Sequence, residues 1–154
     1  EISGEIIVNG KNIEDLSIAE KCQTIGMVFQ QPDTQLFSPV VEDELSFAPE
    51  NLCIERAEIR KRIDNVLQMC NIEHLLHRKT NTLSGGEKQL VAIASTLTMS
   101  PKILLADEIT SRVDKNNKEV IKDILRKFVA DGGGVIFVSH NKEDLEICTR
   151  TIEL

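Results

Sequence analysis

The sequence has no Trp and no Tyr, and only five Phe in 154 residues. A core built from it is aliphatic, and few rings remain for stacking nucleobases, on which single-stranded nucleic-acid binding depends. Positive charge is in deficit too. The formal net charge is −7, whereas polyanion binding rests on clustered Lys and Arg that neutralise phosphates. The basic cluster Arg60-Lys61-Arg62 stands among carboxylates and reads as a solvated helix face. No nucleic-acid partner is expected. The four cysteines, Cys22, Cys53, Cys70 and Cys148, form no Cys-x-x-Cys pair, so neither a zinc knuckle nor a disulfide framework is indicated, and they read as reduced thiols of a cytosolic protein. The longest apolar stretches, such as Ile103–Ala106 and Val135–Val138, fall far short of the roughly 20 residues of a membrane span. Direct membrane insertion is not expected, and any membrane contact is peripheral. No basic region followed by an apolar one opens the chain. Glu1-Ile2-Ser3-Gly4 reads instead like a chain entered mid-domain.

The composition that remains, 41% hydrophobic and 28% charged, suits one compact domain. Glu5–Val8 has a strand pattern closed by the turn signal Asn9-Gly10. A second strand, Thr24–Phe29, runs into Gln30-Gln31-Pro32-Asp33. Helical material follows: Val40–Ala48, which Pro49 is expected to stop, then Glu55–Cys70, with Ile59, Ile63, Val66, Leu67 and Cys70 on one face. A third helix starts near Ser84 and carries Leu90, Ile93, Ala94 and Leu97 on one stripe. From Pro101 the pattern becomes strand (Lys102–Ala106), helix (Asp114–Val129, striped by Val120, Ile121, Ile124, Leu125 and Phe128), strand (Val135–Val138). Asp114 suits the N-cap of that helix and Gly132-Gly133-Gly134 follow its end. These strands are continuous apolar runs, as in parallel sheets covered on both faces. The expected architecture is therefore α/β, with a mostly parallel sheet from residues 1–30 and 100–154 and an inserted α-helical subdomain at about residues 31–99.

In open parallel sheets, ligands bind beyond the carboxyl ends of the strands. Those ends deliver Gln30, Asp107-Glu108 and Ser139-His140. Adjacent residues on extended chain point apart, so one carboxylate can serve a metal and the other a water. Mg²⁺ takes one or two carboxylates plus substrate phosphates, which suits Asp107. Glu108 is then the residue to orient or deprotonate the water; an isolated Asp-Glu could equally cap a turn. Leu83-Ser84-Gly85-Gly86-Glu87-Lys88-Gln89 contains a capping box, Ser84-x-x-Glu87. Glycine in the first helical turn costs about 1 kcal/mol against alanine. Two glycines in succession are consistent with close approach of an anion to bare N–H groups at the helix start.

Together these residues resemble the ATP-binding-cassette family. Leu83–Gln89 is similar to its signature motif, Ile103–Glu108 to its Walker B strand, Thr110-Ser111-Arg112-Val113-Asp114 to its D-loop, Gln30 to its Q-loop glutamine and His140 to its switch histidine. The segments Gln30–Phe37 and Phe47–Leu52 look like the energy-coupling-factor group, which imports vitamins, with related systems for cobalt or nickel. The resemblance implies a partial P-loop NTPase fold, ATP and Mg²⁺ as ligands, and ATP hydrolysis that drives import from the cytoplasmic face of the membrane. It implies a head-to-tail dimer with a second ATPase subunit, and a transmembrane transporter subunit as partner. The site residues it implies are Glu108, His140 and Gln30 for catalysis and Ser84, Gly85, Gly86, Glu87, Gln89 and Asp114 for nucleotide. Asp107 and Gln30 would serve Mg²⁺. Two other readings compete: a soluble cassette ATPase of translation or DNA repair, and a non-enzymatic docking module. The short stretch between Gln30 and Ser84 leaves no room for the coiled coil of chromosome-type relatives.

A P-loop, Gly-x-x-x-x-Gly-Lys followed by Ser or Thr, is absent from the sequence. Its nearest look-alike, Gly4 to Gly10-Lys11, has a strand-like spacer and Asn12 in place of the hydroxyl residue. The expectation is truncation of a longer chain, and negligible Mg-ATP binding by these 154 residues alone. Ile109 stands where the family usually has Pro, Arg112 and Val113 where it has Gly and Leu, and Leu90 where it has Arg, which leaves the D-loop geometry open. Cys70, His74 and His77 have the spacing of a metal face but lack a fourth ligand. A structural role is expected of them. Lys142-Glu143-Asp144 reads as a solvated first turn.

Overall fold

The computed structural model describes residues 4–8 and 10–153. The readings that fall on Glu1–Ser3 and on Asn9 lie outside them. Two short strands, β1 (Ile7–Val8) and β2 (Lys11–Asn12), pair antiparallel. Helix α1 (Ile18–Thr24) begins on a capping box in which Ser17 Oγ accepts from the Glu20 N–H while the Glu20 carboxylate accepts from the Ser17 N–H at 2.9 Å. That helix is missing from the sequence reading, although Ser17-x-x-Glu20 is the pattern that announces it.

The main sheet is parallel, in the order β3 (Ile25–Val28), β4 (Ile103–Asp107), β5 (Gly134–Val138). Val28, Ala106 and Phe137 stand in register across it, as do Met27, Leu105 and Ile136. The first row faces the core, where Val28 and Ala106 are buried and Phe137 packs against them. The second row differs from the expectation of cover on both faces, because no described residues cover it. Met27 is 43% exposed, Ile136 57% and, beside them, Val138 49%. Helices α4 (Gly85–Leu97) and α5 (Lys115–Ala130) pack against β3 and β5, and an apolar run does not reveal which of its two faces has a cover.

Between β3 and β4 the chain is helical. Helix α2 (Val41–Asn51) does not stop before Pro49, as the sequence suggested, but runs through it. Proline in the last turn deletes one amide donor. The last turn nevertheless closes beyond it, with the Leu52 N–H donating to the Ala48 carbonyl and Asn51 Nδ2 to the Phe47 carbonyl at 2.9 Å. Helix α3 (Arg56–Cys70) buries its expected stripe and ends at Asn71, which takes the left-handed conformation. Helix α4 is buried along most of its length and lies close on β3. A Cβ on Gly26 would stand 2.5 Å from Thr96 Cγ2, so glycine at that strand position sets the approach of the two elements. Helix α5 buries Ile121, Ile124, Leu125 and Phe128 as its period predicts, each worth about 1.5–3 kcal/mol against exposure. This framework carries the ends of β3, β4 and β5 on one edge of the sheet.

Candidate functional site

Three strand ends converge on one carboxylate. Gln30, just beyond β3, donates from Nε2 to Glu108 Oε2 at 2.7 Å, and His140 Nε2, just beyond β5, lies 2.9 Å from Glu108 Oε1. The same Gln30 amide donates to Ser111 Oγ at 3.1 Å. The Glu108 side chain is about one-fifth exposed, while the His140 ring is 91% exposed and faces outward. Glu108 sits in the left-handed region, with φ 48°, at a cost of about 1–2 kcal/mol for a residue with a Cβ. Its backbone is held there from both sides. Its N–H donates to the Val138 carbonyl at 2.9 Å and its carbonyl accepts from the Ser111 N–H at 3.0 Å. The arrangement presents a carboxylate held between the Gln30 amide and the His140 ring, which suits proton acceptance or water orientation.

Asp107 closes β4 on the face opposite Ala106, and no hydrogen bond engages its carboxylate among the described residues. Gln30 spends its amide nitrogen on Glu108 and Ser111, which leaves its carbonyl oxygen for a cation. An oxygen-only donor set of one carboxylate and one amide fits Mg²⁺ that is completed by waters and substrate phosphates. No cluster of three or more His, Cys, Asp or Glu side chains capable of holding a metal occurs among the described residues. Burial pushes the Cys70 thiol up to about 12, and His77 Nδ1 instead lies 3.1 Å from Glu42 Oε2.

The start of α4 forms a second cluster, and no hydrogen bond joins its side chains to Gln30, Glu108 or His140 among the described residues. Ser84 caps the helix: its Oγ accepts from the Glu87 N–H at 3.3 Å, and Glu87 Oε2 accepts from the Ser84 N–H at 2.7 Å. These bonds, backbone first, hold the Glu87 carboxyl below its ordinary range. Ser84 and Gly85 are exposed, and a Cβ on Gly85 would meet nothing within 4 Å. Gly86 differs, because a Cβ there would stand 2.2 Å from Asn117 Nδ2 on α5. Its glycine requirement is thus met inside the molecule. Gln89 also points inward, 2% exposed, with Nε2 donating to the Phe29 carbonyl at 3.2 Å. Asp114 is the N-cap of α5 and accepts from the Asn117 and Asn116 N–H groups. Its carboxyl is lowered, first by the Asn117 backbone bond. Leu90 is buried in the core and Arg112 is exposed.

Behind the strand ends lies a cluster that the sequence reading missed. Asp144, expected in a solvated turn, is 1% exposed. Its Oδ2 accepts from Thr110 Oγ1 at 2.6 Å and from Ser139 Oγ at 3.1 Å. Lys122 of α5, also buried, brings Nζ to 3.6 Å from Oδ1. The hydrophilic run Lys142-Glu143-Asp144 conceals this inward turn, and the only signal for it is the pairing of hydroxyls that follow β4 and β5.

No helix among the described residues is long and apolar enough to cross a membrane. The family model described as ABC transporter matches residues 1–111. The energy-coupling factor transporter ATP-binding protein EcfA of Methanosarcina acetivorans is 37% identical over 150 residues, which cover 97% of this chain and 55% of that protein. The solved structure of cbiO1 from Clostridium perfringens, described as part of the ABC transporter complex cbiONQ, superposes with a TM-score of 0.79 at 40% identity. That match covers 90% of this chain and 57% of the other. The chain thus spans little more than half the length of these relatives.

Proposed function

The chain belongs to the ABC transporter ATPase family, and from that premise we propose that it forms the Walker B, signature and switch portion of an ATP-hydrolysing subunit of energy-coupling-factor type. The observation that carries this reading is the Glu108 carboxylate, bonded by Gln30 and facing His140 at the ends of three parallel strands. The resemblance to EcfA and to cbiO1 supports the transporter class.

In the proposed mechanism, Glu108 orients the attacking water and takes its proton. His140, exposed on its far side, reaches the transferred phosphoryl group, and Gln30 reports nucleotide occupancy to the helical segment beyond it. Asp107, with the Gln30 carbonyl oxygen, would hold Mg²⁺, whose chemistry is to neutralise developing phosphate charge. Ser84 and Gly85 present a hydroxyl and open backbone at a helix N-terminus, suited to a phosphate held by a second subunit. Gly86 supports that surface from behind through Asn117. Catalysis of this kind is positioning plus charge stabilisation. The P-loop, absent from residues 1–154, comes from outside them. The exposed pair Phe37 and Phe47, with ring centroids 4.5 Å apart, lies past the Gln30 segment and suits an apolar contact with a membrane subunit on the cytoplasmic face.

In the P-loop-containing protein, Glu108→Gln keeps nucleotide binding and abolishes turnover; unchanged turnover removes Glu108 from its role. Residues 1–154 alone bind Mg-ATP negligibly when titrated with a fluorescent analogue, and micromolar affinity refutes the dependence on an external P-loop.

A further inference from the structure

Asp144 and Lys122 make an expensive pair. Both are charged residues and both are almost fully buried, yet Nζ and Oδ1 are 3.6 Å apart and Oδ1 is buried without a hydrogen-bond partner. A buried ion pair of this quality is a poor source of stability, since desolvation offsets most of the attraction. The other oxygen shows what the carboxylate does. Oδ2 accepts from Thr110 Oγ1 and from Ser139 Oγ at once. Thr110 lies two residues after Glu108, and Ser139 immediately precedes His140. Ser139 Oγ in turn accepts from the Asn141 N–H at 3.0 Å, so the chain is gripped on both sides of His140.

We propose that Asp144 is a positioning residue for hydrolysis: its buried carboxylate ties the loop that follows Glu108 to the loop that bears His140, and so sets the spacing between those two side chains. This rests on the reading of Glu108 and His140 given above. Lys122 supplies the cation that balances the buried carboxylate while both hydroxyls donate to it. The anchor acts on the strand ends from behind and touches no substrate.

The test is steady-state kinetics of the P-loop-containing protein in four variants. Asp144→Ala and the double variant Thr110→Val with Ser139→Ala lower kcat by about 10- to 100-fold, the scale of a misplaced catalytic group, while KM for ATP moves by less than about twofold. Asp144→Asn, whose amide oxygen still accepts from both hydroxyls, recovers part of the lost kcat. A kcat within about twofold of the parent in the double variant overturns the proposal, and so does a parallel loss of KM, kcat and melting temperature that Asn fails to rescue. If Asp144→Ala does not fold, the double variant decides, because it retains the ion pair with Lys122. Glu108→Gln runs alongside: normal turnover there defeats the underlying assignment of Glu108, whereas lost turnover there with full activity in the double variant defeats the role of Asp144 alone.

Discussion

A Cβ added at Gly86 would stand 2.2 Å from Asn117 Nδ2, whereas one added at Gly85 would meet nothing within 4 Å. Neighbours in sequence, the two glycines therefore answer to different constraints. Gly86→Ala forces Asn117 to give up its 2.6 Å bond to Asp114 Oδ2, a loss of about 1 kcal/mol. Gly85→Ala leaves the fold intact or gains up to about 1 kcal/mol from helix propensity. Urea unfolding of the two variants measures this contrast. If Gly85 is where a phosphate approaches, its alanine variant also loses turnover despite its stability. Spacing along the sequence treats Gly85 and Gly86 as one unit and cannot separate them. Gln89 shows the same limit, since a polar letter inside a phosphate-binding pattern does not disclose that its side chain bonds the Phe29 carbonyl.

Helix α4 depends on a cap that senses acid. Ser84 bonding holds the Glu87 carboxyl below its ordinary value of 4.5, so the ionised cap favours the folded state. That contribution is complete above pH 4.5 and fades as pH falls through the depressed value. Acid unfolding followed by circular dichroism should show the parent more stable than Glu87→Gln above that range, with the difference shrinking below it. Elements of this kind were legible in the sequence: the capping box of α4, the Asp114 cap of α5, and both helical stripes stand where spacing put them. What stayed hidden depended on partners that spacing does not name. The course of α2 through Pro49 reflects a proline so near the helix end that only one bond is lost, and the burial of Asp144 turns on hydroxyls from two other strand ends. The convergence of Gln30, Glu108 and His140 was legible because parallel strands deliver their carboxyl ends to one edge.

Across the whole molecule, the open face of the sheet is the main liability. Met27, Phe29, Ile136 and Val138 are each more than 40% exposed, and contiguous apolar surface of this kind drives association. The 154-residue chain alone is expected to self-associate in light scattering. Ile136→Lys, at the centre of the exposed row, should return it toward the monomer mass with the strand register unchanged. A monomer at high concentration without that substitution would show that the row is harmless.

The left-handed backbone at Glu108 sets two demands on the chain against each other. Glycine at that position would release about 1–2 kcal/mol of conformational cost and remove the carboxylate together with it. Directed evolution that rewards heat resistance alone would drift toward Glu108→Gly and select a sturdier, silent protein, so any such campaign must be coupled to a readout of phosphate release.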